Sequence, residues 1–154
     1  MRQMVAQNLI RIRRLEEEDI QSVYRIAQTS FKNPYPVKLF KRIHETHPEG
    51  FYVAEIAGDI VGYLIGFVRW KDTGHVMALA VDRPYRREGV GSALMINALD
   101  RMGKNGASRV KLEVRVSNEA AKSFYDKMGF EVREVVPDYY SDGEAALSMV
   151  YKYD

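Results

Sequence analysis

The stretch LAVDRPYRREGVGSA, residues 79–93, decides the reading of this chain. Leu79, Ala80 and Val81 close an apolar β-type run, Asp82 to Glu88 form a short basic turn, and Gly89, Val90 and Gly91 open a segment of helical period. A turn of this kind is an anion site. The first N–H groups of a helix have no partner inside it, the helix dipole adds partial positive charge, and glycines let a phosphate approach the backbone. Arg86, Arg87, Gly89, Val90, Gly91 and Ser92 are therefore the candidate anion-binding residues, with two full charges beside the backbone. A dinucleotide fingerprint would need glycine where Leu94 stands, and a Walker loop would need Ser or Thr where Asn105 follows Gly103 and Lys104. A third type of phosphate loop remains.

Outward from this turn the chain divides by period. Before it, residues 8–14 alternate as a short strand, and residues 16–31 place Ile20, Val23, Tyr24, Ala27 and Phe31 on one helical face. A weaker helix over 37–47 ends at Pro48 and Gly50. Three β-rich runs follow at 51–56, 60–70 and 75–81, joined by turn-length connections, which predicts an antiparallel meander. After it, helix alternates with strand: a helix over 89–102, a strand over 110–116, a helix from Ser117 or Asn118 to Gly129, and strands over 130–136 and 146–153. In the strand 110–116 the apolar Val110, Leu112, Val114 and Val116 oppose Lys111, Glu113 and Arg115.

Composition limits the chemistry. A chain of 154 residues, 46% hydrophobic, fits a single domain, 1–154, with a core of its own. The absence of cysteine excludes disulfides, thiolate metal sites and a cysteine intermediate. His44 and His47 share a helical face without an evident third ligand, so no metal is expected and the pair is assigned to an exposed helix end. The 23 basic and 21 acidic residues are mixed along the chain, which argues against a nucleic-acid footprint. A polar start and an apolar run over 61–68 too short to span a bilayer make a cytoplasmic protein without membrane attachment the expectation.

Arg86, Gly89 and Gly91 in RREGVG resemble the R/Q-x-x-G-x-G/A signature of the GNAT superfamily of N-acetyltransferases. Downstream, Leu112, Val114, Asn118, Ala121, Tyr125, Gly129 and Phe130 are similar to that family's second block, L-x-V-x-x-x-N-x-x-A-x-x-x-Y-x-x-x-G-F. The stretch YYSDGEAA, 139–146, resembles the tail of protein N-terminal acetyltransferases of archaeal and ribosomal-protein-alanine type. The resemblance covers the chain well from about His75 onward and the first half by order of elements.

This resemblance implies an α/β (α+β) fold: a mixed, mostly antiparallel sheet of about seven strands with about four helices, splayed at the acetyl-CoA site. It implies acetyl-CoA as donor, a protein N-terminal α-amine as acceptor, on ribosomal or nascent chains, and direct transfer in a ternary complex. Glu113 matches the general base and Tyr125 the general acid, with His75 a secondary candidate for the base. Leu79, Ala80 and Val81 match the strand that binds the acetyl carbonyl, and Asn118 the residue that reaches the pantetheine arm while capping its helix. Tyr139 and Tyr140 match the pair that holds the peptide backbone, and Phe31, Pro34 and Tyr35 the pocket for its first side chain. Lys32 stands where archaeal relatives often carry a glutamate. From the residues alone, Glu113 could equally be a surface ion pair and Tyr125 a core tyrosine. Acetylation of lysine or of a small amine, and a regulatory domain that binds acetyl-CoA without turnover, are the alternatives.

Overall fold

The computed structural model describes residues 9–154, so Asn8 and the polar start lie outside the described residues. The chain forms two compact units, one made of the described residues up to Phe67 with Ala78–Ala98, the other of Val68–Met77 with Leu99–Asp154.

The first unit contains strand β1 (Arg11–Arg14), helices α1 (Ile20–Ser30) and α2 (Val37–Thr46), strand β2 (Phe51–Ile56), most of β3 (Asp59–Trp70), the end of β4 (Thr73–Val81) and the first turns of α3 (Val90–Lys104). β1 pairs antiparallel with β2 from Arg11 opposite Glu55 to Arg14 opposite Tyr52, and β2 pairs antiparallel with β3. β2 and β3 are apolar over most of their length because both faces are covered. Their core joins Phe40 of α2 to Phe51 and Tyr63, with ring centroids 5.8–6.2 Å apart. α1 buries Ile20, Val23, Ile26 and Ala27. Ile26, not the expected Tyr24 and Phe31, completes the stripe: the helix ends at Ser30, and Phe31 turns into extended backbone and is exposed. The sixteenth residue starts a short 3-10 turn, Glu17–Asp19, before α1. Arg13 of β1 grips the buried Asp19 through both carboxylate oxygens, at 2.7 and 3.1 Å, and Glu55 of β2 at 3.1 Å. Burial pushes the Asp19 carboxyl upward, but the Arg13 hydrogen bonds and charge outweigh it and hold it below its ordinary value.

The histidines of α2 depart from expectation. His47 stacks flat on Phe67, with centroids 4.1 Å apart, and His44 has a buried Nδ1, so neither decorates an exposed helix end.

The second unit contains the end of β3, the start of β4, the rest of α3, strand β5 (Arg109–Arg115), helix α4 (Glu119–Lys127), and strands β6 (Glu131–Val136) and β7 (Ala146–Lys152). β4 and β5 are parallel, with Thr73, Gly74 and His75 opposite Arg109, Val110 and Lys111. β7 lies antiparallel between β5 and β6. Among the described residues the strand order is β1-β2-β3-β4-β5-β7-β6, seven strands with four helices, the mostly antiparallel sheet that the resemblance implies. β6 is an edge strand, and Glu131, Arg133 and Glu134 place charge along it beside the exposed Val132 and Val135. Among the described residues no helix is long and apolar enough to cross a membrane.

Candidate functional site

In the first unit the site is built from backbone. β4 ends as the Asp82 amide donates to Val61 O (2.8 Å), and the Asp82 carboxylate accepts from the Arg83 amide (3.1 Å) and from Arg25 (3.3 Å). A short 3-10 turn over Arg83–Tyr85 follows. Arg87 then takes φ 65° and Gly89 φ 87°, so the chain passes twice through the left-handed region on its way into α3. The Ala93 amide donates to Gly89 O at 3.0 Å. The N–H groups of Val90, Gly91 and Ser92 precede that bond, so the helix itself offers them no acceptor. The dipole of a 15-residue helix adds its positive end at the same place.

Close packing fixes this terminus. A Cβ at Gly62 of β3 would lie 3.1 Å from both Ala80 O and Val90 Cγ1 and 3.2 Å from Leu94 Cδ1, and Val90 and Leu94 are buried there. The Arg86 guanidinium turns inward, with Nε donating to Val81 O (2.8 Å) and Nη2 to Ser30 Oγ (3.2 Å), which ties the turn to β4 and α1. The turn can therefore offer an anion its main-chain amides, with the exposed Arg86 side chain tied to Val81 and Ser30 beside it. Leu79 and Val81 are half-buried beside the buried Ala80. Phe31 lies just beyond α1, with Pro34 and Tyr35 half-buried and the Tyr35 ring edge-on to Phe40 at 5.9 Å.

In the second unit the site is built from side chains. β5 alternates as expected: Val110, Leu112 and Val114 are buried on one face, and Lys111, Glu113 and Arg115 point to the other. Glu113 is not a surface ion pair, because only a tenth of its side chain is exposed. Its Oε1 lies 2.7 Å from His75 Nε2 and its Oε2 3.1 Å from Lys111 Nζ. Burial alone would raise its proton affinity, but the hydrogen bond with His75 and the Lys111 ammonium outweigh burial, and the carboxyl sits below its ordinary value. It is a half-buried carboxylate, ionised at neutral pH. His75, 7% exposed, also lies 3.0 Å by Nδ1 from Nη1 of Arg69.

Tyr125 in α4 is half-buried, with its ring 5.4 Å from Phe124 and 5.9 Å from Phe130. Burial, reinforced by Tyr140, pushes its phenol up to about 12, so it carries its proton at neutral pH. Asn118 accepts from the Ala121 amide at 3.1 Å and caps α4. Tyr139 and Tyr140 lie in the β6–β7 connection rather than in a strand, with ring centroids 5.0 Å apart. This loop is fastened by Arg115, which donates to Asp142 (2.9 Å) and Glu144 (2.8 Å) and lies 4.1 Å above the Tyr140 ring.

Arg69, Lys111 and Arg115 complete these clusters, although the sequence marks none of them as functional. The strand period of 109–115 puts Lys111 and Arg115 on the face of Glu113. Arg69 stands six residues before His75 across the β3–β4 turn, a proximity that only the pairing reveals.

The sequence profile of the acetyltransferase (GNAT) family matches residues 20–130. An uncharacterized N-acetyltransferase of Methanocaldococcus jannaschii is 41% identical over 143 residues, covering 92% of this chain and 90% of the relative. An N-alpha-acetyltransferase of Sulfurisphaera tokodaii is 34% identical over 151 residues and 90% of either chain. The crystal structure of Ard1 from Thermoplasma volcanium superposes with a TM-score of 0.91 at 39% identity, covering 95% of this chain and 99% of that one. A glycine turn opening α3, the second motif block on β5 and α4, and these matches lead to one conclusion: the chain belongs to the GNAT family of acetyltransferases, and it is an N-acetyltransferase.

Proposed function

We propose that this enzyme transfers the acetyl group of acetyl-CoA to the N-terminal α-amine of a protein, directly and within a ternary complex. The observation that carries the reading is the half-buried Glu113 carboxylate, held ionised between His75 and Lys111. Similarity to an N-alpha-acetyltransferase and to Ard1, together with the YYSDGEAA stretch, supports a protein N-terminus as acceptor.

Acetyl-CoA supplies an activated acyl group on a thiol leaving group. The turn over 86–92 binds the diphosphate through first-turn amides of α3 and the charge of Arg87. An N–H group of Leu79, Ala80 or Val81 donates to the acyl oxygen, and Asn118 reaches the pantetheine amide. Only a neutral amine can attack. An α-amine, with a pKa of about 8, has a sizeable neutral fraction at pH 7, whereas lysine, at about 10.4, has almost none. Glu113 is a weak base, which suits the α-amine: it takes up the proton released as the N–C bond forms, directly or through one water. Tyr125 returns a proton to the departing sulfur as the C–S bond breaks. Tyr139 and Tyr140 hold the peptide backbone, and Phe31, Pro34 and Tyr35 receive its first side chain. One domain, 1–154, then serves the whole reaction, in the cytoplasm and on ribosomal or nascent chains.

The test is thiol release from acetyl-CoA with peptides beginning Met, Ser or Ala and with an N-terminally blocked peptide carrying an internal lysine. Turnover on the open N-termini alone supports the proposal. Turnover confined to lysine or to a small amine, or coenzyme binding without turnover, contradicts it.

A further inference from the structure

The two nitrogens of His75 are engaged by partners of opposite character, and this defines where its proton sits. Nδ1 lies 3.0 Å from Nη1 of Arg69, and Nε2 lies 2.7 Å from Oε1 of Glu113. A guanidinium has five N–H donors, no acceptor, and keeps its proton in proteins. Nδ1 must therefore present its lone pair to Arg69. A neutral imidazole then carries its proton on Nε2, the atom that faces a carboxylate able to accept it. The hydrogen bonds run in one direction, from Arg69 through His75 to Glu113. An imidazolium, or the Nδ1–H tautomer, would set N–H against N–H at 3.0 Å.

Trp70 stands 5.2 Å from the His75 ring and carries the Arg69 guanidinium at 4.9 Å and the Lys111 ammonium at 5.2 Å. From β3, β4, β5 and the β6–β7 loop the groups facing this cluster are Arg69, His75, Lys111 with Glu113, and Tyr140.

We propose that Arg69 is a positioning residue: by donating to Nδ1 it fixes His75 as the Nε2–H tautomer, which withdraws His75 from base duty and holds Glu113 in place to receive the amine proton. The proposal rests on the reading of Glu113 as the base. His75 orients Glu113 and accepts no proton itself, because its one lone pair is occupied.

Nitrogen-15 NMR of imidazole-labelled protein tests this, with three histidines in the chain and His75→Gln to assign the signal. At pH 7 the wild type is expected to show His75 as the Nε2–H tautomer. Arg69→Met is expected to populate other protonation states and to lower kcat about tenfold with the KM for acetyl-CoA unchanged. Arg69→Lys, which keeps a charged donor, restores the tautomer and most of kcat. A wild-type His75 in the Nδ1–H or doubly protonated form overturns the proposal, even if Arg69→Met fails to fold. So does Arg69→Met with an unchanged tautomer or unchanged kcat. Glu113→Gln is assayed alongside: wild-type turnover there removes the base reading and the proposal with it, whereas a tautomer failure with inactive Glu113→Gln removes the proposal alone.

Discussion

The turn that opens α3 and the cluster around Glu113 are built from different materials. The turn uses main-chain amides and a helix end, shaped by left-handed φ at Arg87 and Gly89 and by the close approach that Gly62 allows. The cluster uses titratable side chains whose behaviour depends on one another, from Arg69 through His75 to Glu113 and Lys111. A backbone site binds the same anion whatever side chains surround it. A side-chain site performs a proton transfer that one atom can abolish. Damage to the first should therefore appear in coenzyme affinity, and damage to the second in the rate of transfer.

Glu113→Gln gives the largest effect, a fall in kcat of about 100-fold or more, the usual worth of a general base, with coenzyme affinity retained. Equal losses in both parameters, measured by steady-state kinetics and calorimetry, would break the division of labour. Next, Tyr125→Phe lowers kcat by roughly 10-fold to 100-fold and leaves the KM for acetyl-CoA nearly unchanged. Because the Tyr125 phenol is raised to about 12, its protonation imposes no alkaline fall in rate up to about pH 10, which a pH–rate profile checks. Gly89→Val places a β-branched residue at φ 87°, a strain of about 1–3 kcal/mol, and raises the KM for acetyl-CoA about tenfold with a smaller effect on kcat. Arg115→Ala loosens the loop of Tyr139 and Tyr140. Losing the cation–π contact with Tyr140 and the ion pairs to Asp142 and Glu144 raises the KM for peptide roughly fivefold and spares the coenzyme.

The smallest effect concerns acid stability. Asp19 and Glu113 both lie below their ordinary carboxyl values in the folded protein. Such groups contribute stability above their unfolded pKa, near 4, and the contribution is lost as pH falls through the folded values. Thermal unfolding should therefore show a midpoint that is level from pH 7 to 5 and falls below about 4. The fall should be shallower in Glu113→Gln.

The same contrast explains what could be read from the residues. Glycine spacing at 89 and 91, set between a strand and a helix, describes the backbone of the turn into α3 almost completely, since no side-chain contact has to be inferred. The alternation over 109–115 likewise puts Glu113 opposite Leu112 and Val114. It does not say what covers that face, so a surface ion pair fits the pattern equally well, and His75, 2.7 Å away, is legible only in the structure. Arg69 and His75 meet because β3 and β4 turn back on each other, and pattern along one strand carries no record of a neighbour on the next. The helical stripe of α1 stops short of Phe31 for a related reason: the period continues past Ser30, but the helix ends there. His44 and His47 read as an exposed helix end because a sequence does not show that Phe67 of β3 lies under His47.

The central claim is that main-chain amides of the turn receive the coenzyme's diphosphate. Its most direct test is a titration of nitrogen-15-labelled protein with coenzyme A, following the amide signals of residues 87–92, with pantetheine, which lacks the diphosphate, as the control. The account predicts large downfield shifts of those amides with coenzyme A and little change with pantetheine. Silence of the turn while signals elsewhere respond to coenzyme A, or equal shifts with pantetheine, would contradict it.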